Sequence, residues 1–235
     1  MGPMTSTRPT LVPMTAGQQL RAGRTGRRLP QLFAGLLLFG VSMGMMIRST
    51  LGLNPWDVLH YGLTLYLPLS IGQVTIALGF LVLLAWWPLR VSPGLGTVAN
   101  VLLIGLAVDA TLLILPEPEH LAWRSLLLLG GIVSNGLAIA LYLGAQYGPG
   151  PRDGLMTGLA LRTGRSLRLV RTVLEVTVLG IGWLLGGIVG VGTVLYALLI
   201  GPLTQLFLPY VTVGLEPPGP RPLRHRQGAV SDTGR

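Results

Sequence analysis

The stretches that decide the fold are Leu-Gly-Leu-Asn-Pro-Trp-Asp-Val-Leu-His at residues 51–60 and Gly-Pro-Gly-Pro-Arg-Asp-Gly-Leu-Met at residues 148–156. In each stretch a turn residue precedes a proline, and an aspartate follows two positions after that proline. The two stretches coincide when the chain is compared with itself at an offset of 96 residues. The aligned pairs are Pro55 with Pro151 and Asp57 with Asp153.

The match at this offset runs without a gap from about Gly35 to Gly105. Coincident glycine, proline, aspartate and tryptophan are rare by chance in an apolar sequence, so the pattern predicts a duplication. Each copy also contains a Gly-x-Gly-Thr-Val motif. No strand precedes either motif, so its glycines indicate close helix packing rather than dinucleotide binding. These glycines are Gly94, Gly96, Gly190 and Gly192.

The composition is that of a membrane protein. Half of the 235 residues are hydrophobic and only 11% are charged, and the mean hydropathy is +0.64. The chain contains no cysteine, which excludes disulfides, thiolate metal sites and cysteine nucleophiles. The net charge is +9, and every basic residue counted in it is an arginine. In a membrane protein this charge is expected at the cytoplasmic surface, and nucleic acid is not expected as a partner.

Six segments are long and apolar enough to cross a hydrocarbon core of about 30 Å. They are residues 30–48, 70–89, 96–116, 121–147, 166–187 and 190–211. Two further stretches, 55–67 and 151–163, begin with proline and are too short to cross. The sequence therefore predicts an all-α polytopic membrane protein with six transmembrane helices and two short re-entrant or half helices.

The two copies are expected to have opposite orientations. Each copy contains three spans, an odd number, so the second copy enters the membrane from the other side. With both termini in the cytoplasm, 15 of the 17 arginines lie on the cytoplasmic side, which agrees with the positive-inside tendency. The prediction is a 3+3 inverted repeat in a bacterial plasma membrane, an arrangement that recurs in secondary transporters.

The predicted domain organisation follows from these spans. Residues 30–116 form the first three-helix repeat and residues 121–211 form the second. Residues 1–29 are rich in arginine, glycine and proline without an apolar run, and they are predicted to be a disordered basic cytoplasmic tail. Residues 216–235 are rich in proline and then arginine, and they are predicted to be a second disordered cytoplasmic tail.

Both turns have the pattern of a helix start, with Asn54 or Gly150 as the N-cap and proline at the first helical position. Two interpretations remain open. The aspartate can serve only to cap the helix, or each short helix can be re-entrant and direct its positive N-terminus at a polar cavity. At the equivalent of Trp56 the second copy has Arg152, so only the second turn adds a cation that could meet an anion.

Asp109 and its repeat equivalent Gln205 are polar residues within predicted spans. Either they line a pathway, or they form an interhelical hydrogen bond. The candidate solute-binding residues are Asn54, Asp57, Asp109, Arg152, Asp153 and Gln205. His60 and His120 are predicted to be loop residues without chemistry, because no second ligand stands at metal spacing. We expect no catalytic residue, no metal site and no cofactor.

Residues 51–60, residues 148–156 and the run Gly190-Val191-Gly192-Thr193-Val194 resemble the YczE/YyaS/YitT group of bacterial integral membrane proteins, in particular its YczE-like branch. The resemblance covers about residues 30 to 210. It implies a location in the bacterial plasma membrane and a multi-helix fold, with no biochemical activity and no catalytic residues to carry over.

The leading functional hypothesis is a secondary transporter or channel for a small solute or ion. It rests on the inverted repeat, the paired short helices and the acids within the membrane. The alternative is a non-transporting accessory or regulatory protein that binds a protein partner or forms a homo-oligomer, because few polar groups line the spans. An enzyme is not expected, since no Ser-His, paired-aspartate or metal-ligand arrangement is present. The expected partner common to these hypotheses is the lipid bilayer.

Overall fold

A computed structural model describes residues 11, 12 and 14–215, and this part of the chain is all helical. Nine helices occur within the described residues. They are α1 (Ala16–Arg21), α2 (Thr25–Ser49), α3 (Pro55–Thr64), α4 (Ile71–Leu89), α5 (Leu95–Ile114), α6 (Leu121–Gly144), α7 (Pro151–Thr163), α8 (Leu167–Leu184) and α9 (Val191–Val211). The two short helices, α3 and α7, begin at the prolines of the two predicted turns.

Five helices are long and apolar enough to cross a membrane, namely α2, α4, α5, α6 and α9. Each coincides with one of the predicted spans. The sixth predicted span coincides with α8, a helix of 18 residues that includes Arg168, Arg171 and Glu175 and is therefore more polar than the others.

The predicted disordered tail over residues 1–29 is wrong for the described residues 14–29. They form α1 and the beginning of α2, and the Gln18 side chain accepts a hydrogen bond of 2.9 Å from the Thr15 N–H at the start of α1. The prediction treated every arginine as solvated, whereas Arg28 is completely buried. Residues 1–10, residue 13 and the second predicted tail, 216–235, lie outside the described residues.

Helices α2 and α6 pack against each other in an antiparallel manner at the centre of the fold. A Cβ atom at Gly35 would lie 2.9 Å from the backbone nitrogen of Tyr142, near the end of α6. A Cβ atom at Gly131 would lie 2.8 Å from Cγ of Met46, near the end of α2. Small residues let the two helix backbones approach closely at both ends of the contact. The two contacts are reciprocal, because Gly131 is the repeat equivalent of Gly35 and Tyr142 is the repeat equivalent of Met46.

Two further sets of helix contacts recur in both halves. Helix α2 packs against α5, where Gly40 contacts Ala107, and α6 packs against α9, where Gly136 contacts Leu203. Helix α3 packs against α8 and α7 packs against α4. In each case, one helix pair maps onto the other when the residue numbers are shifted by 96. The half-helices α3 and α7 are therefore each held by a long helix of the other half.

Equivalent arginines join the ends of α2 and α6. The Nε atom of Arg28 donates a hydrogen bond of 2.9 Å to the carbonyl oxygen of Ala145, directly after α6. The Nε atom of Arg124 donates a hydrogen bond of 2.9 Å to the carbonyl oxygen of Ser49, the last residue of α2. The last carbonyls of a helix lack partners within it and attract cations. Each arginine thus caps the helix that is antiparallel to its own.

Candidate functional site

The start of α3 is a helix N-terminus with a side-chain cap. Asn54 precedes the helix with extended backbone, and its side-chain oxygen accepts a hydrogen bond of 3.0 Å from the N–H of Asp57. The Asn54 amide donates in return to the Asp57 carboxylate. The predicted N-cap with proline at the first position is confirmed, and the exchange of bonds leaves both side chains buried.

The start of α7 has the same backbone but different side-chain chemistry. Gly150 is the N-cap with extended backbone and Pro151 is the first helical residue, as predicted. Since glycine has no side chain with which to cap the helix, Asp153 does not take part in a reciprocal cap. Its carboxylate instead accepts a hydrogen bond of 2.7 Å from the hydroxyl of Tyr142 in α6.

Both helix starts line one cavity of about 280 Å³. Asn54 and Pro55 line it from one half of the chain, and Gly150 and Pro151 from the other. Helices α2, α4, α5, α6, α8 and α9 complete the wall. The apolar and aromatic part of the wall includes Phe39, Trp56, Ile104, Ile139, Met156 and Ile200. The structure thus brings the two predicted turns, which are 96 residues apart in sequence, together in one cavity lined by both polar and apolar residues.

Arg152 connects the two turns across this cavity. Its guanidinium lies over the ring of Trp56, with 4.9 Å from Cζ to the ring centroid. One guanidinium nitrogen lies 3.7 Å from a carboxylate oxygen of Asp57. The arginine side chain is about a quarter exposed, whereas the aspartate is completely buried. A cation of the second turn therefore contacts both an aromatic ring and a carboxylate of the first turn.

His60 lines the cavity, and the sequence analysis did not identify it as a candidate site residue. It was predicted to lie in a loop, but it belongs to α3, is 2% exposed and lines the cavity. Its Nδ1 atom lies 3.2 Å from the Thr75 hydroxyl and 3.4 Å from Asp57, and its Nε2 atom lies 3.5 Å from Arg152. The sequence feature that could have identified His60 is its spacing of three residues from Asp57, which places both side chains on one helix face.

A second charged pair lines the cavity from α8. Arg171 donates a hydrogen bond of 2.9 Å to Glu175, one helical turn later. Both residues belong to the cavity wall. Across the described residues, Asp153 is therefore the one charged group of this wall without an oppositely charged group within 4 Å.

Asp109 and Gln205 lie in different surroundings although they are repeat equivalents. The Asp109 carboxylate accepts hydrogen bonds from the Ser70 hydroxyl at 2.5 Å and from the Gly72 N–H at 2.8 Å, at the start of α4. It does not line the cavity. Gln205 does line the cavity. The structure thus separates these two candidates and gives Asp109 the interhelical hydrogen bond that was one of its two predicted roles.

The Gly-x-Gly-Thr-Val motifs pack against the chain directly before each half-helix. The N–H of Gly96 donates a hydrogen bond of 2.9 Å to the carbonyl of Tyr147, and the N–H of Gly192 donates one of 2.8 Å to the carbonyl of Leu51. A Cβ atom at Gly94 would lie 2.5 Å from the Tyr147 carbonyl oxygen, and Gly190 meets Leu51 in the same way. These glycines hold the turns that precede α3 and α7.

A chain of buried hydrogen bonds lies beside the cavity. The Tyr196 hydroxyl donates a bond of 2.9 Å to the Asn135 side chain, which donates one of 2.7 Å to the Ser42 hydroxyl. Asn135 and Ser42 are completely buried between α6 and α2. Among the described residues no group of three or more histidine, cysteine, aspartate or glutamate side chains is arranged to hold a metal ion.

Comparisons with known proteins place the chain in a family. A model of the family of unknown function DUF6198 matches residues 26–209, and the chain belongs to this family. An uncharacterized protein of Haemophilus influenzae is 42% identical over 177 residues, which cover 75% of this chain and 81% of the relative. The uncharacterized membrane protein YczE of Bacillus subtilis is 36% identical over 181 residues, or 75% of this chain and 83% of the relative.

A more distant relative is the uncharacterized protein YyaS of Bacillus subtilis, 27% identical over 181 residues, or 75% of this chain and 90% of the relative. No solved structure matches the chain. The resemblance to this group of proteins is confirmed. The chain is a membrane protein of unassigned activity that interacts with the lipid bilayer, and its long helices expose apolar side chains such as Leu113 and Leu198.

Proposed function

We propose that this protein is a secondary transporter for a small solute, built as a 3+3 inverted repeat in a bacterial plasma membrane with both termini in the cytoplasm. The observation that carries the proposal is the meeting of the N-termini of α3 and α7 in one cavity. Half-helices whose positive ends point into a central site are the solute-binding arrangement of many secondary transporters.

The reciprocal contacts support the inverted repeat. Contacts between the halves that are reciprocal, as Gly35 with Tyr142 and Gly131 with Met46 are, are those of a twofold axis, and α2 and α6 lie on either side of it. Because these two helices are antiparallel, the axis is perpendicular to them. If they cross the membrane, as their length and apolarity support, the axis lies in the membrane plane and the two halves have opposite orientation.

The sixth span in this proposal is α8. Its 18 residues extend about 27 Å, close to the thickness of the hydrocarbon core. The pair Arg171 and Glu175 removes the net charge from its interior, since the two side chains are 2.9 Å apart. Arg168 lies in the first turn, where its long side chain can reach the membrane surface.

The two halves differ at one pair of equivalent interfaces. Helix α4 packs closely against α5, and a Cβ atom at Gly105 would lie 2.6 Å from the carbonyl oxygen of Gly72. Asp109 closes the same end of this interface through its bonds to Ser70 and Gly72. The α4–α5 interface is therefore closed at the end of the molecule where α5 ends. We call this the outer gate.

The equivalent interface between α8 and α9 is open. Helix α8 is not among the close packing partners of α9, and a Cβ atom at Gly201, the equivalent of Gly105, would meet no atom within 4 Å. Gly201, Thr204 and Gln205 line the cavity there. We call this the inner gate. With the termini in the cytoplasm, the cavity opens toward the cytoplasm.

This asymmetry supports alternating access. Two halves that are equivalent in sequence can exchange their conformations, which would open α4–α5 and close α8–α9 around the same central site. In the exchanged state, Thr172 would contact Gly201 as Ile76 now contacts Gly105. A channel would not need one gate to be sealed by a dedicated side chain such as Asp109, so we favour a transporter.

The experiment uses equivalent positions on the two gates. Thr204→Cys lines the inner gate, and Val108→Cys is its buried equivalent on the outer gate. In this cysteine-free chain, a membrane-impermeant maleimide should label Thr204→Cys from the cytoplasmic side and leave Val108→Cys unlabelled.

Locking the inner gate tests the exchange itself. A disulfide between Thr172→Cys and Gly201→Cys should make Val108→Cys accessible from the outside. If Val108→Cys stays inaccessible once the disulfide has formed, the halves do not exchange and the transporter proposal fails in favour of a non-transporting accessory protein.

A further inference from the structure

Two adjacent charged groups in the cavity wall, Arg152 and Asp153, have unmet bonding capacity. Arg171 and Glu175 satisfy each other at 2.9 Å. Arg152 lies 3.7 Å from Asp57, which is beyond hydrogen-bond distance, and Asp153 has no basic group within 4 Å in the described part of the chain. Adjacent positions of α7 thus present a cation and an anion to the cavity.

Neither group is saturated by its neighbours. A guanidinium has five N–H donors, and the nearest side-chain acceptor that the structure describes for Arg152 is His60 at 3.5 Å. A carboxylate can accept about four hydrogen bonds, and the one side-chain donor described for Asp153 is the Tyr142 hydroxyl. Trp56, 7% exposed, also lines the cavity, and its indole N–H has no partner among the described residues.

The electrostatic balance favours a ligand without net charge. Two arginines and two carboxylates line the cavity, and the buried carboxylate of Asp57 lies directly behind the wall, so one negative charge is in excess. Asp57 and Asp153 each occupy the third residue of a half-helix. A helix N-terminus carries about half a positive charge, so the two half-helices offset about one negative charge. The site as a whole is therefore close to neutral while its two poles remain distinct.

We propose that the cavity binds a small zwitterion, a solute that carries both a carboxylate and an ammonium group. The carboxylate binds to Arg152, and the ammonium group binds to Asp153. This assignment rests on the proposed transport function and names its substrate class. An anion without an ammonium group would leave Asp153 without a cationic partner, and a cation without a carboxylate would be repelled by Arg152.

The rest of the wall limits the size and character of the zwitterion. A cavity of about 280 Å³ lies just below the range that holds drug-sized ligands, so it admits a compact solute. Phe39, Ile139 and Ile200 provide apolar surface that suits a short hydrocarbon body. These features fit a compact amino-acid-like molecule.

The test compares four probes of the same carbon skeleton with purified full-length protein: L-2-aminobutyrate, butyrate, butylamine and butyramide. The measurement is the unfolding temperature in detergent. At a concentration of about 100 times its Kd, L-2-aminobutyrate should raise the unfolding temperature by at least about 5 °C. The other three probes should leave it unchanged.

Variants assign the effect to the two residues. Arg152→Gln and Asp153→Asn should each abolish the stabilisation by L-2-aminobutyrate, whereas Glu119→Gln, an exposed loop change, should retain it. Stabilisation by butylamine alone, by butyrate alone, or by none of the four probes would overturn the zwitterion assignment. None of those results decides the transporter proposal, because the gate labelling tests it separately and uses no ligand.

Discussion

The guanidinium of Arg152 lies over the ring of Trp56 at 4.9 Å, although these residues occupy equivalent positions of the two turns. Equivalent residues of a twofold arrangement touch each other only where they approach the axis. The contact therefore supports placing the axis at the starts of α3 and α7, inside the cavity.

Exchanging Trp56 and Arg152 should be tolerated better than either change alone. Trp56→Arg places two arginines together, and Arg152→Trp removes the cation that faces Asp57. The double variant restores one ring and one guanidinium across the axis. We expect a coupling free energy of about 1 kcal/mol in a double-mutant cycle of unfolding. Strictly additive effects of the two changes would contradict an axis at this contact.

The two aspartates of the turns should respond differently to neutralisation. Asp57 is completely buried and lies between Asn54, His60 and Arg152, so Asp57→Asn should lower the free energy of unfolding by about 2 kcal/mol. Asp153 faces the cavity, and an asparagine side chain can still accept a hydrogen bond from the Tyr142 hydroxyl. Asp153→Asn should therefore lower the free energy of unfolding by less than about 1 kcal/mol. The comparison requires denaturant unfolding of both variants. Equal destabilisation would show that Asp153 is also only a capping residue.

Equivalent glycines on the two gates should differ in their tolerance of alanine. Gly105→Ala places a Cβ atom 2.6 Å from the Gly72 carbonyl oxygen, so it should destabilise the closed outer gate by about 1–3 kcal/mol. We expect it to increase external labelling of Val108→Cys. Gly201→Ala meets no atom within 4 Å and should change stability by less than about 0.5 kcal/mol. Equal labelling in both backgrounds would contradict a closed outer gate.

The arginines that cap α2 and α6 should not be replaceable by lysine. The Arg28 guanidinium donates to four backbone carbonyls and stacks 4.1 Å above the ring of Tyr147. Lysine cannot reproduce this planar fork, so Arg28→Lys should lower the unfolding free energy by about 2 kcal/mol or more. Arg124→Lys should have a smaller effect because Arg124 is half-buried. Arg165→Lys, at an exposed position, is the control, and an equal loss there would refute the capping role.

The positions of the helices could be predicted from the sequence because lipid imposes a minimum apolar length. The half-helices could also be predicted, since proline after a turn residue strongly indicates the start of a helix. The role of Arg28 could not be predicted, because an arginine at the end of a polar, basic stretch has the same local pattern whether it is solvated or bonded to distant carbonyls. Its partners Ala145 and Gln146 lie more than a hundred residues away.

The site could be predicted only in part, for a similar reason. Both turns were identified, but the contacts of Asp153 with Tyr142 and of Arg152 with His60 depend on how α6, α7 and α3 meet. The different surroundings of Asp109 and Gln205 could not be predicted, because a conformational difference between two halves leaves no trace in a repeat. Three-dimensional packing decides which of two equivalent interfaces is closed.

The proposed inverted repeat of six spans depends on α8 crossing the membrane. Ser92 and Val189 are exposed residues in equivalent loops, before α5 and before α9. Single cysteines at these positions should be labelled by an impermeant maleimide from opposite sides, Ser92→Cys from the cytoplasm and Val189→Cys from outside. If both are labelled from the cytoplasm, α8 does not cross and the inverted repeat is wrong.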